Sequence, residues 1–355
     1  TPLTVPWSLE RYKPLIDEPV ANVEEKSRPM RRALIMVALT VLLGATCILS
    51  LFLGSRPNGV TEVVDVLAGH GEAHLANVVE SRIPRTVMGA IVGAALAVSG
   101  TLIQGITRNP LGEPGILGIG VGASASVVTG TAIFGALGAT GTMGFAMLGA
   151  LAAVTIVLVL GGRSSAGGIV PLILAGAVVT AVLYAYINAM VLTMPQVFDS
   201  YRFWMVGSLA GVDMSRLGQT LVPLISGFIL ALFIARGMNA LALGEETAIS
   251  LGFRVGATRL IGIIAAALLA AVATAIAGPI SFIGLAVPHV IFALMGEDFR
   301  WRIPAALVGG ALALVAADII ARVLIRPQEL MVGIVTAFIG APFLLMAVRR
   351  GAVMK

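Results

Sequence analysis

The residues that could carry chemistry in this sequence are concentrated in one polar stretch that lies between long apolar runs. It extends from Met238 to Gly256 and reads MNALALGEETAISLGFRVG. Carboxylates and hydroxyls alternate there with apolar side chains, which is typical of a short amphipathic helix, and Gly252 is expected to break that helix. Such a helix either offers a binding surface to a partner in the aqueous phase or is part of an ordinary solvated loop. Spacing alone leaves both interpretations open.

Other ionisable side chains are weaker candidates. His70 and His74 have a spacing found in metal sites, but a solvated loop is the simpler interpretation, and we expect no metal site. His289 and Asp318 lie within apolar runs, where an ionisable group is costly, although both stand toward the ends of those runs. Asp318 precedes Arg322 by four residues, the acid-before-base order that favours a helix. We expect no catalytic residue among them.

The positions of the lysines exclude ATP binding by a Gly-rich phosphate loop. The three that occur are Lys13, Lys26 and Lys355, so none lies in the body of the chain. A Gly-rich phosphate loop ends in Gly-Lys-Ser/Thr and therefore cannot be present. We expect no cofactor on this chain, and any ATP hydrolysis, with its magnesium, must belong to a partner. Cys47 is the single cysteine, which excludes an internal disulfide.

Composition places the chain in a membrane. It has 355 residues, of which 58% are hydrophobic and 12% charged, whereas a soluble domain carries about 25% charged residues. A helix that crosses a bilayer needs about 20 apolar residues, and ten runs of roughly this length occur: 34–53, 86–106, 116–137, 143–161, 169–194, 217–235, 258–277, 280–295, 303–324 and 331–348. The eighth is short and opens with Gly278-Pro279, so we expect a tilted or broken segment. The sequence predicts an all-α polytopic membrane protein.

Charge sets the expected orientation. Residues 1–32 are polar and proline-containing, and are predicted to form a flexible tail before a transmembrane domain at 33–350. With ten spans both termini share one side, whose connections hold twelve basic residues against seven on the other side. The positive-inside rule therefore predicts cytoplasmic termini and a cytoplasmic 238–256 stretch. The seven basic residues on the outer side need an explanation of their own.

Three motifs follow one another along the chain. The first is Ser81-Arg-Ile-Pro-Arg-Thr, followed after one span by Gln104-Gly-Ile-Thr-Arg-Asn-Pro-Leu-Gly-Glu-Pro-Gly-Ile-Leu-Gly. The second is Leu243-Gly-Glu-Glu-Thr-Ala-Ile-Ser-Leu-Gly. The third is Gly278-Pro-Ile-Ser-Phe-Ile-Gly-Leu-Ala-Val-Pro-His289, later followed by Ala317-Asp-Ile-Ile-Ala-Arg322 and Glu329–Pro342. In this order and spacing they resemble the FecCD-type permeases, the membrane subunits of ABC importers for iron-siderophores, haem and vitamin B12. The resemblance covers roughly residues 34–350.

The resemblance implies the architecture of a type II ABC importer permease in the bacterial cytoplasmic (inner) membrane. A ten-helix subunit would pair with a second permease subunit around a central pathway, and homodimer and heterodimer both stay open. Cytoplasmic ATPase subunits would dock below, and an extracytoplasmic substrate-binding protein would dock above. Nucleic acid is not an expected partner, because the arginines are scattered between spans rather than clustered.

The resemblance also assigns roles to residues of this chain. The family's coupling helices, which sit on the ATPase, match the 238–256 stretch, and the residues expected to couple are Gly244, Glu245, Glu246, Ser250, Leu251 and Gly252. The outward arginines of the family, which receive acidic residues of the binding protein, match Arg82, Arg85 and Arg322. The alternative is that these arginines anchor helix ends by extending toward the interface.

The cargo is the least defined element. A ferric siderophore is the first expectation, with haem or cobalamin as the alternative. A different class, an ion-coupled secondary transporter, would need ionisable groups near the middle of the membrane. A non-transporting membrane scaffold would leave the three motifs without a role.

Overall fold

The computed structural model of the protein describes residues 22–54, 66, 70, 73–162 and 169–349. Within these ranges the chain forms α-helices and one 3-10 helix, Pro114–Leu117, and it forms no β-strand. In chain order, the α-helices are α1 (Asn22–Phe52), α2 (Ala73–Thr107), α3 (Ile119–Phe134), α4 (Ala139–Gly162), α5 (Val170–Thr193), α6 (Pro195–Trp204), α7 (Ser215–Phe233), α8 (Ala235–Ala242), α9 (Glu245–Ser250), α10 (Val255–Ala277), α11 (Ile283–Met295), α12 (Phe299–Val323) and α13 (Val332–Arg349).

Each of the ten predicted spans falls on a helix. By length and composition, seven helices could cross a membrane: α1, α2, α4, α5, α7, α10 and α12. The shorter apolar helices α3, α11 and α13 account for the other three predicted spans. The short eighth span begins only at Ile283, because Gly278 (φ 76°) and Phe282 (φ 71°) interrupt the helical path after α10. The all-α polytopic fold is confirmed.

Helices α2, α10 and α12 form the centre of the bundle. The Ser99 hydroxyl of α2 donates to the carbonyl of Ala266 in α10 over 2.7 Å. Gly93 of α2 and Gly310 of α12 lie so close that a side chain on either would overlap with the backbone of the other. Small residues allow this approach in lipid, where little hydrophobic force draws helices together. In contrast α1 is peripheral, with 6% of its apolar window buried.

The chain becomes helical earlier than the predicted tail allowed. Residues 1–21 of that tail lie outside the described residues, but α1 already begins at Asn22 and continues through Pro29 into the first span. Residues 22–32 are therefore helical, and the boundary between tail and transmembrane domain at residue 32 stays a prediction.

The polar stretch forms two helices rather than one. Helix α8 ends at Ala242 and α9 begins at Glu245, so the first break precedes the expected one at Gly252. Gly244 has a φ of 122°, a conformation that side-chain-bearing residues rarely adopt, and it turns the chain between the helices. Gly252, with a φ of 83°, ends α9 as expected.

Candidate functional site

Helix α9 stands out from the bundle with its apolar residues uncovered. Only Ala248 of this helix is buried, and it faces the rest of the chain. Leu243, Ile249 and Leu251 expose 64%, 63% and 58% of their surface. Apolar side chains that form an exposed patch around a short helix usually mark a surface for another protein. The arrangement favours a helix that binds a partner protein over an ordinary solvated loop.

Contacts from the transmembrane helices anchor this segment. Arg259 of α10 forms an ion pair and a hydrogen bond with Glu245, in the first turn of α9. Arg108, at the end of α2, donates to the main-chain carbonyl of Leu241 in α8. The backbone N–H of Phe253 donates to the carbonyl of Ala248 over 2.9 Å, which closes the chain back onto α9. The contacts therefore tie α9 to α10 and tie the preceding α8 to the end of α2.

The residues predicted to couple all lie on this segment. Gly244 precedes α9, while Glu245 and Glu246 form its first turn. The Ser250 hydroxyl donates to the carbonyl of Thr247 over 2.8 Å, so Ser250 supports the end of the helix. Leu251 and Gly252 follow it, the first exposed and the second providing the turn. Their contact with an ATPase stays a prediction.

A second anchor of the segment was missed from the sequence. The Asn239 side chain of α8 donates to the Asp298 carboxylate over 2.7 Å and accepts from the backbone N–H of Phe299 over 2.8 Å. Asp298 also caps α12 by accepting from the N–H of Arg300 over 3.0 Å. An Asp directly before an apolar helix is a recognisable N-cap, so the capping role of Asp298 could be predicted from the sequence. Its contact with Asn239 could not.

At the other end of the bundle the three predicted docking arginines lie together. Nε and Nη2 of Arg85 lie 3.0 Å and 2.8 Å from the Asp318 carboxylate oxygens, a bidentate pair between α2 and α12. Nη1 of Arg85 lies 2.6 Å from Glu329, which follows α12 in the chain. Nη2 of Arg322 lies 3.1 Å from the same Asp318 carboxylate. We call Arg82, Arg85, Asp318, Arg322 and Glu329 the arginine cluster.

Two of these arginines cap the end of α1. Nη1 of Arg82 lies 2.7 Å from the carbonyl oxygen of Leu51, and Nη1 of Arg322 lies 3.1 Å from that of Ser50. The last carbonyls of a helix have no partner within the helix, so they need donors from elsewhere. Arg322 is 1% exposed as a result. In this structure the guanidinium groups serve the chain itself, and their role in docking a binding protein stays a prediction.

Glu113 is a further buried carboxyl that the sequence did not single out for a role. It follows α2 in the turn before the 3-10 helix, and burial raises the pKa of its carboxyl above the ordinary value. A hydrogen bond from the backbone N–H of Phe282, just before α11, opposes that shift. The turn at 108–115 is therefore tied to the start of α11.

No metal site emerges from the part of the chain that the structure describes. No group of three or more metal-ligating side chains occurs among those residues. His70 is exposed, and the side chain of His74 lies outside the described part. His289 is half-buried in α11 beside Pro288.

Comparison with known proteins agrees with this geometry. The profile of the FecCD transport family matches residues 41–350. The ferric enterobactin transport system permease protein FepD of Escherichia coli is 41% identical over 90% of this chain and 96% of its own length. The iron(3+)-hydroxamate import system permease protein FhuB of Bacillus subtilis is 37% identical over 93% of this chain and 86% of its own.

Among solved structures, an inward-facing conformation of a metal-chelate type ABC transporter superposes with a TM-score of 0.77 and 28% identity. The alignment covers 90% of this chain and 99% of that one. Sequence and structure agree over nearly the whole transmembrane region, and the chain belongs to the FecCD transport family.

Proposed function

We propose that this chain is the membrane permease of an ABC importer that moves a ferric siderophore inward. The observation that carries the proposal is the 41% identity to a ferric enterobactin permease across 90% of the chain. The hydroxamate permease and the Fe(3+) dicitrate permease FecD of Escherichia coli, 36% identical over 87% of the chain, also move iron chelates. The three cargoes share ferric iron held by oxygen-rich chelators.

Energy would come from a partner ATPase that binds ATP and magnesium. The absence of lysine between Lys26 and Lys355 excludes a phosphate loop on this chain. Helix α9 has exposed apolar residues beside it and an anchor on α10, and the preceding α8 is anchored on the end of α2, so the two short helices have the form of a lever that the ATPase holds. Closure of the ATPase subunits on ATP would move α9, and Arg259 and Arg108 would transmit the motion to the bundle.

The orientation would place α8 and α9 in the cytoplasm of a bacterium, with the chain in its inner membrane and both termini inside. Arginines from three separate parts of the chain line one cavity at that end: Arg32 of α1, just before the first apolar run, Arg236 of α8 and Arg300 of α12. This spatial grouping supports the positive-inside assignment, which rested on sequence counts alone.

A binding protein would dock on the opposite surface, at the arginine cluster. Arg85 is the member best placed for it, because its partner Glu329 is a partly exposed carboxylate that an acidic residue of the binding protein could replace. Arg322 would act indirectly, by holding Asp318 and α1 in position. Charge-assisted arginine contacts of this kind set registry and association rate.

A second permease subunit, the same chain or a related one, would complete the pathway. Leu174, Val178 and Val182 of α5 expose more than 60% of their surface on one stripe of that helix, and a partner helix would cover them.

The test is uptake in iron-starved cells with and without the gene, with labelled ferric siderophore, haem and cobalamin supplied separately. Selective loss of ferric siderophore uptake on deletion, restored by the gene, is the expected result. Haem is the alternative cargo with a specific relative, the hemin permease HmuU of Yersinia pestis, 38% identical over 76% of the chain. Selective loss of haem uptake would overturn the siderophore assignment and leave the permease assignment intact.

A further inference from the structure

A cavity of about 780 Å³ opens where α1, just before its apolar run, meets α8, the end of α11 and the start of α12. Its lining includes Arg31, Arg32, Arg236 and Arg300, and we call it the arginine cavity. We propose that it binds the phosphate headgroup of an anionic phospholipid of the cytoplasmic leaflet. The site does not depend on the cargo of the transporter.

The charge of the cavity favours an anion. Four arginines face two carboxylates, Glu297 and Asp298, across the lining. Within the part of the chain that the structure describes, Arg32 comes within 4.0 Å of Asp298, whereas the other three arginines form no ion pair. Arginine guanidinium groups match phosphate oxygens in geometry as well as in charge.

The acidic residue nearest the arginines is already engaged in structure. Oδ1 of Asp298 accepts from the Asn239 side chain over 2.7 Å and from the N–H of Arg300 over 3.0 Å. These bonds link α8 to the start of α12, and among the described residues the ion pair of this carboxylate is with Arg32 rather than with Arg236 or Arg300. Positive charge is therefore left over for a ligand.

The remaining lining and its surroundings favour a lipid over a free anion. Leu243 and Leu251 form the edge of the cavity next to the coupling segment, and other apolar residues complete the wall, namely Phe253, Ala293, Leu294 and Met295. Leu34 and Val37, within two turns of the arginines on the peripheral helix α1, are 63% and 61% exposed, and in a membrane they would contact acyl chains. A ligand with a phosphate head and acyl chains would satisfy both parts. Basic pockets between helices on the cytoplasmic side bind anionic headgroups in this way.

Occupancy would affect the coupling segment. The cavity touches α1, α8 and the connection between α11 and α12, and Leu251 and Phe253 follow α9 directly. A bound headgroup would hold these elements together at the place where the ATPase acts. Anionic lipid is therefore expected to increase the fraction of ATP hydrolysis that is coupled to transport.

Native mass spectrometry of the assembled transporter tests the proposal. Delipidated protein is titrated with phosphatidylglycerol or with phosphatidylcholine, for wild type and for the double variant Arg236→Gln with Arg300→Gln. The matched control is Arg202→Gln with Arg326→Gln, which removes the same charge from exposed residues at the other end of the bundle. A third variant, Ala293→Trp, fills the cavity and leaves every arginine in place. Thermal unfolding temperatures verify that each variant is folded.

The expected result is tight retention of phosphatidylglycerol, and not of phosphatidylcholine, by wild type and control. Loss of Arg236 and Arg300 should weaken the binding of phosphatidylglycerol about 30-fold, because each basic residue near an anionic surface generally contributes about 1 kcal/mol. Ala293→Trp should weaken it as well. Equal retention by the Arg236 and Arg300 variant would overturn the site. Displacement by inorganic phosphate would identify a small-anion site instead, and absence of lipid from the assembled transporter would show that the ATPase fills the cavity.

Discussion

Asp318 and Arg85 form a bidentate ion pair between α12 and α2, with Nε and Nη2 of the arginine 3.0 Å and 2.8 Å from the carboxylate oxygens. The same carboxylate holds Arg322 at 3.1 Å, and Arg322 reaches the carbonyls at the end of α1. Directly and through Arg322, one buried carboxylate therefore joins three helices at this end of the bundle.

Replacement of Asp318 by asparagine should strongly destabilise the protein. It leaves two largely buried guanidinium groups with less compensating charge, and breaking a buried pair from one side costs about 3–5 kcal/mol. The control Asp199→Asn breaks an exposed pair with Arg202, worth about 0–1 kcal/mol. Thermal denaturation of the detergent-solubilised protein measures both. Equal unfolding temperatures for the two variants would contradict the structural role of Asp318.

Gly54 and Arg82 should be coupled energetically. A side chain at Gly54 would overlap with the Arg82 guanidinium, which donates to Leu51 at the end of α1. Gly54→Val should lower the unfolding temperature in the wild-type background and have a much smaller effect when Arg82→Ala is already present. A double-mutant cycle isolates this coupling, expected at about 1–3 kcal/mol. Additive effects of the two substitutions would show that the contact is unimportant.

Glu329 should compete with the binding protein for Arg85. Removing its charge by Glu329→Gln leaves Arg85 paired with the buried Asp318 and makes Nη1 available to an acidic partner. Association of the binding protein should become faster, with a steeper dependence on salt, because outer charge mainly sets the association rate. Surface plasmon resonance at several salt concentrations measures it. Glu297→Gln, the same change at the opposite end, is the control, and an unchanged rate for Glu329→Gln would remove Arg85 from the docking surface.

The ion pair between Glu245 and Arg259 should be needed to transmit movement from α9 to α10. Arg259→Glu alone places two carboxylates together and should uncouple ATP hydrolysis from transport. The exchange of charges, Glu245→Arg with Arg259→Glu, should restore part of the coupling. The ratio of transported chelate to hydrolysed ATP in proteoliposomes reports this. If the double exchange is no better than the single change, the pair is not the transmitting contact.

The helices were largely predictable from the sequence because a bilayer fixes the length of an apolar segment. All ten predicted spans fall on helices, including the short one that contains His289 and begins late at Ile283. The division of the polar stretch at Gly244 was not predictable in this way. The residues on both sides of that glycine are compatible with a helix, and its backbone φ of 122° marks the break between α8 and α9.

The arginine cluster was only half predictable. The motifs identified Arg82, Arg85 and Arg322, and the four-residue spacing of Asp318 and Arg322 indicated their contact. The carbonyl partners at Ser50 and Leu51 leave no trace in side-chain sequence, since every residue carries a carbonyl. This contact with α1 also explains some of the seven basic residues on the predicted outer side, which the positive-inside rule leaves unaccounted for.

The most direct measurement is ATP-driven uptake of ferric siderophore into proteoliposomes that contain the assembled transporter with Glu245→Arg and Glu246→Arg. The control, Glu80→Arg with Asp199→Arg, makes the same change of charge at exposed residues of the opposite end. The account predicts that the α9 variant inserts and binds the binding protein normally but loses uptake, whereas the control transports like wild type. Wild-type uptake by the α9 variant would contradict a coupling role for this helix.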